Sequence, residues 1–179
     1  IEDLDMLCRK KAISNAKKLA LDTKATKLFI NIDAASMVGT RHNKGETKSL
    51  IEEFGFEIKN IALEVTERAF IKNPKLFYSV LEHYQSQGFS IAIDDFGSGS
   101  AGLKLVTETN PSIVKIDRFL IENIDKSTKK QGILKMVVEM CHKFISSKVI
   151  AEGIETVEEL TTVKELGIDW GQGYLLGKP

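Results

Sequence analysis

Short apolar runs recur along the chain, each followed by polar or charged residues. The runs are 27–32 (KLFINI), 61–65 (IALEV), 90–93 (SIAI), 112–116 (SIVKI) and 148–151 (KVIA). Each is brief and carries β-branched or aromatic residues, a pattern that predicts buried strands rather than helices. Longer stretches with helical spacing separate them. Residues 1–21 place Leu4, Leu7, Ala12, Ala16 and Leu19 on one stripe, and residues 75–87 do the same with Leu76, Val80, Leu81 and Tyr84. A third stretch, 129–145, offers Ile133, Val137, Met140, Cys141 and Phe144. The stretch 157–166 follows Thr156 with Glu159 three residues on, the signature of a capping box. Gly88 and Gly167 stand where two of these helices should stop. Strands alternating with helices imply βαβ units and a parallel sheet covered on both faces. An open doubly wound sheet and a (β/α)8 barrel both satisfy that periodicity.

The residues closing each apolar run carry the chemistry. Asn31 sits near the end of the first run, Glu64 sits in the second, and Asp94 and Asp95 follow the third. Lys115 and Asp117 lie in and after the fourth, Glu152 and Glu155 follow the fifth, and Gln172 stands near the C-terminus. In a parallel sheet the C-terminal strand ends share one rim, so these side chains are expected to converge. Taken singly, a carboxylate at a strand end is most often a helix cap, and Asn31 alone could be an Asx-turn. Lys115 inside an apolar run is different, because a buried charge needs a partner. The adjacent Asp94 and Asp95 repel each other unless one is protonated or a cation lies between them. Glu64, Asp94, Asp95, Asp117 and Glu152 together with an amide oxygen make an all-oxygen environment, which favours Mg²⁺ or Mn²⁺ over zinc. None of the three histidines (His42, His83 and His142) falls on the rim, so a histidine base is not expected. One or two hard cations amid carboxylates, with Lys115 beside an attacking water, point to hydrolysis of a phosphate ester.

Composition narrows the classes further. The 179 residues hold 25 Lys+Arg and 25 Asp+Glu, for a formal net charge of zero, so the basic excess of a free-standing nucleic-acid binder is absent. With 42% hydrophobic and 28% charged residues, the chain has the balance of a globular domain. No apolar run reaches the ~18 residues of a membrane helix, and the charged opening residues do not read as a signal peptide. Cys8 and Cys141 lie far apart without metal-ligand spacing and are expected to be reduced core thiols in a cytoplasmic protein. Residues 97–102 (GSGSAG) match a dinucleotide fingerprint after a strand. The two aspartates just before that run would oppose a pyrophosphate, so a nicotinamide-dependent oxidoreductase ranks last.

Five segments in order, 63–67 (LEVTE), 93–99 (IDDFGSG), 114–117 (VKID), 149–156 (VIAEGIET) and 172–179 (QGYLLGKP), closely resemble the signature segments of the bacterial EAL domain. The resemblance covers almost all of residues 1–179 as one domain. It implies an α/β fold, a modified TIM (β/α)8 barrel of EAL type, and a metal-dependent phosphodiesterase that opens cyclic di-GMP to linear pGpG in bacterial signalling. Position by position, it makes Asn31, Glu64 and Asp94 first-metal ligands, with Asp94 bridging to a second Mg²⁺ or Mn²⁺ at Asp95 and Glu152. Glu152 doubles as base, and Lys115 orients the water. Asp117, Glu155 and Gln172 fall at supporting or substrate-contacting positions, and Glu67 at the anchor of the loop after Asp95. The resemblance also implies a homodimer, fused in a longer cytoplasmic chain to sensory or GGDEF-type domains, with no DNA partner and no direct membrane insertion. Two departures stand out. The Glu-Ala-Leu tripeptide that names the family, whose glutamate is itself a metal ligand, is absent with its strand, so the barrel is expected to be N-terminally incomplete. Ser100, Ala101 and Gly102 replace the usual Tyr-Ser-Ser. These departures support an alternative, a catalytically inactive cyclic di-GMP receptor.

Overall fold

A computed structural model of the protein describes residues 2–19, 27–32, 45–66, 73–99 and 101–178. The chain divides into two compact units, Ile1–Ile91 and Ala92–Pro179. In the first lie α1 (Glu2–Lys18), β1 (Leu28–Asn31), α2 (Glu46–Glu53), β2 (Ile61–Thr66) and α3 (Pro74–Ser86). β3 (Ser90–Phe96) begins in the first unit and continues into the second. The second unit adds α4 (Gly102–Thr109), β4 (Ile113–Ile116), α5 (Arg118–Ile121), α6 (Thr128–Met140), β5 (Lys148–Ala151), α7 (Val157–Glu165) and β6 (Trp170–Gly171).

In the first unit, β1 and β2 pair in parallel, with Leu28 opposite Ile61 and Asn31 opposite Glu64. Residues Ile61 to Val65 are buried without interruption, as a strand covered on both faces requires. α3 begins at an Asn73 cap that accepts from the Leu76 amide at 3.2 Å, with Pro74 at the first helical position. It buries Phe77, Val80, Leu81 and Tyr84. Arg9 of α1 is 1% exposed. It donates to Thr47 at 2.9 Å and Tyr84 at 2.8 Å and pairs with Asp5, so a buried polar hub ties α1 to α2 and α3.

In the second unit, β3, β4, β5 and β6 run parallel in that order. All four residues of β4 are buried. Leu105, Val106, Leu120, Ile121, Leu134, Val138 and Val163 pack the helices around these strands. α7 opens with the expected capping box, the Thr156 side chain accepting from the Glu159 amide while Glu159 reaches back to the Thr156 amide.

The expected strands and the four expected helices all form. Two helix faces differ from the sequence reading. On α1, Leu4 and Leu7 are exposed at 63% and 60%, as is Leu19 just beyond it; the buried side is Arg9, Ile13 and Ala16. On α6 and the π-helical turn that extends it (Cys141–Ile145), the inward residues are Leu134, Val138 and Cys141, while Phe144 is 81% exposed. Both helices are apolar on more than one side, and a stripe counted along one face does not say which face turns inward. Cys8, expected in the core, is exposed; Cys141 is buried. Its thiol is pushed up to about 11 by burial and by the charge of Asp169.

Candidate metal centre

The site forms where β3, β4 and β5 end. Ile93 pairs with Val114, and Phe96 pairs with Ile116, so Asp94 and Asp95 together stand opposite the single residue Lys115. This is a β-bulge. In a regular strand, adjacent side chains point to opposite faces. Here Asp95 adopts a left-handed backbone with φ of 58°, which breaks the alternation and lets both carboxylates reach one place. Aspartate tolerates this conformation better than most residues. The next turn is held by Ser98, whose amide and hydroxyl donate to the Asp95 carbonyl at 3.1 and 2.9 Å. Gly97 is required there. Its φ is 99°, and a Cβ would lie 2.7 Å from Leu120 Cδ1.

Lys115 side chains from β4 reach this point through an otherwise apolar strand. Its Nζ lies 2.9 Å from Asp94 Oδ1 and 2.7 Å from Glu152 Oε1, and the lysine side chain is 6% exposed. Carboxylate oxygens of Asp94, Asp95 and Glu152 all fall within 4.8 Å of one another. Asp94 and Glu152 contact the Lys115 ammonium and Asp95 lies beside them, so three carboxylates share one ammonium neighbourhood that a divalent cation would help to neutralise. The donor set is entirely oxygen, which suits Mg²⁺ or Mn²⁺. The residues therefore fit such an ion.

The loop after β5 carries Glu152 and is pinned at several points. The Glu152 amide donates to the Ile116 carbonyl at 3.1 Å, and the Ile154 amide to the Gln172 carbonyl at 3.1 Å. Gly153 has φ of 70°, and a Cβ there would meet the Arg118 side chain at 2.6–2.9 Å. Arg118 Nη1 reaches Glu155 at 2.9 Å. Glu159 on α7 is 5% exposed. Its burial pushes its carboxyl up, but amides of Glu155, Asn123 and Thr156 and the Thr156 hydroxyl outweigh that and hold it below the usual carboxylate range.

The other expected site residues are distributed as follows. Asn31, the last residue of β1, stands opposite Glu64, within β2, in the first unit, Glu64 being 6% exposed. Asp117 caps α5, accepting from the Phe119 amide at 2.7 Å. Gln172 is exposed at the edge of a cavity of about 510 Å³ lined by Gly171–Gly173, Tyr174, Leu176 and Gly177. Glu67 and Ser100 lie outside the described residues. Sequence reasoning saw Glu159 only as a helix cap and did not single out Arg118. The capping box was the one available signal.

Parallel strands alternate with helices, and three carboxylates gather where β3 and β5 end, which defines an α/β domain with a candidate cation site. The chain belongs to the EAL domain family, whose profile matches residues 1–179. It is 36% identical over 157 residues to the cyclic di-GMP phosphodiesterase PdeF of Escherichia coli, covering 87% of this chain and 20% of the relative. The cyclic di-GMP phosphodiesterase NbdA of Pseudomonas aeruginosa is 32% identical over 145 residues, 81% of this chain and 18% of the relative. The chain thus spans about a fifth of the length of these relatives. Among solved structures, the manganese and cyclic di-GMP complex of Klebsiella pneumoniae BlrP1 at pH 9.0 superposes with a TM-score of 0.89 at 32% identity, over 97% of this chain and 44% of that one. The cyclic di-GMP-bound standalone EAL protein of Vibrio cholerae O395 gives a TM-score of 0.80 at 34% identity, over 96% and 70%. The fold is therefore the α/β, modified TIM-barrel type of EAL domains. The described residues carry six strands, against the eight of a closed barrel.

Proposed function

We propose that this chain is a metal-dependent phosphodiesterase domain that hydrolyses cyclic di-GMP to linear pGpG. The observation that carries the reading is the convergence of Asp94, Asp95 and Glu152 within 4.8 Å of one another, with Lys115 bridging Asp94 and Glu152. Bound Mg²⁺ or Mn²⁺ at these carboxylates supplies Lewis-acid polarisation of the phosphoryl oxygen and a water acidified toward neutral pH. Asp94, Asp95 and Glu152 would hold the ions. Lys115, between Asp94 and Glu152, orients the attacking water and offsets negative charge as it develops. Glu152 would take a proton from the attacking water as its oxygen bonds to phosphorus; the phosphorus–oxygen bond to the 3′ position breaks, and the 3′ oxygen leaves with a proton taken up from solvent. Asn31 and Glu64 as further metal ligands, Glu67 as loop anchor, and Asp117, Glu155 and Gln172 as supporting or substrate-contacting residues rest on the family resemblance. So do a homodimer and fusion to sensory or GGDEF-type domains, the latter supported by the greater length of the relatives. A cytoplasmic setting agrees with two free thiols, Cys8 and Cys141.

Incubating the chain with cyclic di-GMP and Mn²⁺ should yield pGpG, and Glu64→Ala and Glu152→Gln should each abolish it. A second reading, binding without hydrolysis, is favoured by Ser100, Ala101 and Gly102 in place of the usual Tyr-Ser-Ser. It predicts nucleotide binding in the same assay with no linear product, unaffected by Asp94→Asn.

A further inference from the structure

We infer that Glu159, which lies outside the carboxylate cluster, is a positioning residue for the metal centre, acting through the loop that carries Glu152. The inference rests on the metal-centre reading above. Glu159 does more than cap its own helix. Its Oε2 accepts from the amides of Glu155 at 3.0 Å and Thr156 at 3.2 Å, and its Oε1 accepts from the Asn123 amide at 2.8 Å. Asn123 belongs to the segment after α5, which follows the Lys115 strand; Glu155 and Thr156 belong to the loop after β5. One buried carboxylate thus staples the segment downstream of Lys115 to the loop downstream of Glu152.

Backbone carbonyls of Ile116 and Gln172 hold the Glu152 and Ile154 amides, while the next two amides of the loop, those of Glu155 and Thr156, are held by Glu159. Four residues separate the end of β5 from Thr156, and Gly153 within them sits at φ of 70°. The nearby Arg118–Glu155 pair is 50% and 38% exposed, so solvent screens it. Removing the Glu159 carboxylate strands three amide donors, two of them within four residues of Glu152. The segment at Glu155 and Thr156 then turns toward water, and the loosened loop holds the Glu152 side chain less firmly against Asp94 and Asp95. Groups that orient metal ligands typically alter metal affinity or activity by about 10–100-fold when lost.

The test is Mn²⁺ binding by the full 179-residue chain, followed by electron paramagnetic resonance, for wild type, Glu159→Ala, Glu159→Gln and Thr156→Ala. Thr156→Ala removes the hydroxyl that accepts from the Glu159 amide at 3.2 Å and so weakens the helix cap while keeping the carboxylate. Glu159→Ala is expected to weaken Mn²⁺ binding by about 10–100-fold. Glu159→Gln keeps one acceptor oxygen and should fall between it and wild type, while Thr156→Ala should lower the melting temperature yet bind Mn²⁺ within about twofold of wild type. Should Glu159→Ala not fold, Glu159→Gln carries the comparison. A folded Glu159 variant that binds Mn²⁺ as wild type does, or a Thr156→Ala loss equal to that of Glu159→Ala, would overturn the inference and leave the metal centre standing. A wild-type chain that binds no Mn²⁺ would overturn both.

Discussion

The two ends of the same strands in the second unit treat charge in opposite ways. At the C-terminal end, three carboxylates, Asp94, Asp95 and Glu152, gather together, two of them in contact with Lys115. At the N-terminal end, one carboxylate is surrounded by donors. Asp169 accepts from the Val149 amide at 2.9 Å and lies 2.7 Å from both Lys148 Nζ and His142 Nε2. Burial pushes the Asp169 carboxyl up, but Lys148, the Val149 amide and His142 more than compensate and hold it below its ordinary range. One end is arranged to need a cation, and the other is already satisfied. That division matches the general rule that function collects at the C-terminal face of such strands and stability at the other. A charged cluster alone therefore does not mark a site; its surplus does.

The sharpest way to break this contrast is to remove charge from each end in turn. Asp94→Asn or Glu152→Gln should reduce cyclic di-GMP hydrolysis at least about 100-fold while leaving the thermal midpoint near wild type, because a metal ligand is lost. Lys115→Met should cost roughly 100–1000-fold in kcat without a comparable loss of nucleotide affinity, read by steady-state kinetics beside calorimetric titration. Gly153→Val places a β-branched residue at φ of 70° against Arg118 and should destabilise by about 1–3 kcal/mol, measured by urea denaturation. Asp169→Asn should cost about 1–2 kcal/mol of stability with turnover unchanged. It also has a pH signature. A carboxyl held low when folded stabilises above its unfolded value of about 3.9, and that stability fades as pH falls through the folded value. Thermal midpoints of the wild type should thus fall as pH drops below about 4, and Asp169→Asn should flatten the fall. The smallest effect belongs to Phe144→Gln, at a position 81% exposed, which should shift stability by less than about 0.5 kcal/mol; a larger loss would return the outer face of the α6 extension to the core.

The rim itself was readable, since strand ends announce themselves by polar residues after apolar runs, as at Lys115 and Glu152. The capping box at Thr156 and Glu159 was equally plain because it depends on local spacing alone. The bulge was not. Whether Asp94 and Asp95 diverge or converge is decided by how β3 pairs with β4, a property of two segments that no single run encodes. Leu4, Leu7 and Phe144 misled for a related reason: helical periodicity finds an apolar stripe, but partners choose which stripe is buried. The further reach of Glu159 is not legible in local spacing, because one of its three donors, the Asn123 amide, lies 36 residues away in the chain.

The most direct trial of the central claim is anomalous diffraction from a crystal of this chain grown with Mn²⁺. The account predicts a peak bounded by Asp94, Asp95 and Glu152, with oxygen ligands at roughly the 2.0–2.6 Å of hard divalent ions and Lys115 still directed at the cluster. Saturating Mn²⁺ with no peak among these three carboxylates, or with Asp95 turned to the opposite face of β3, would contradict it.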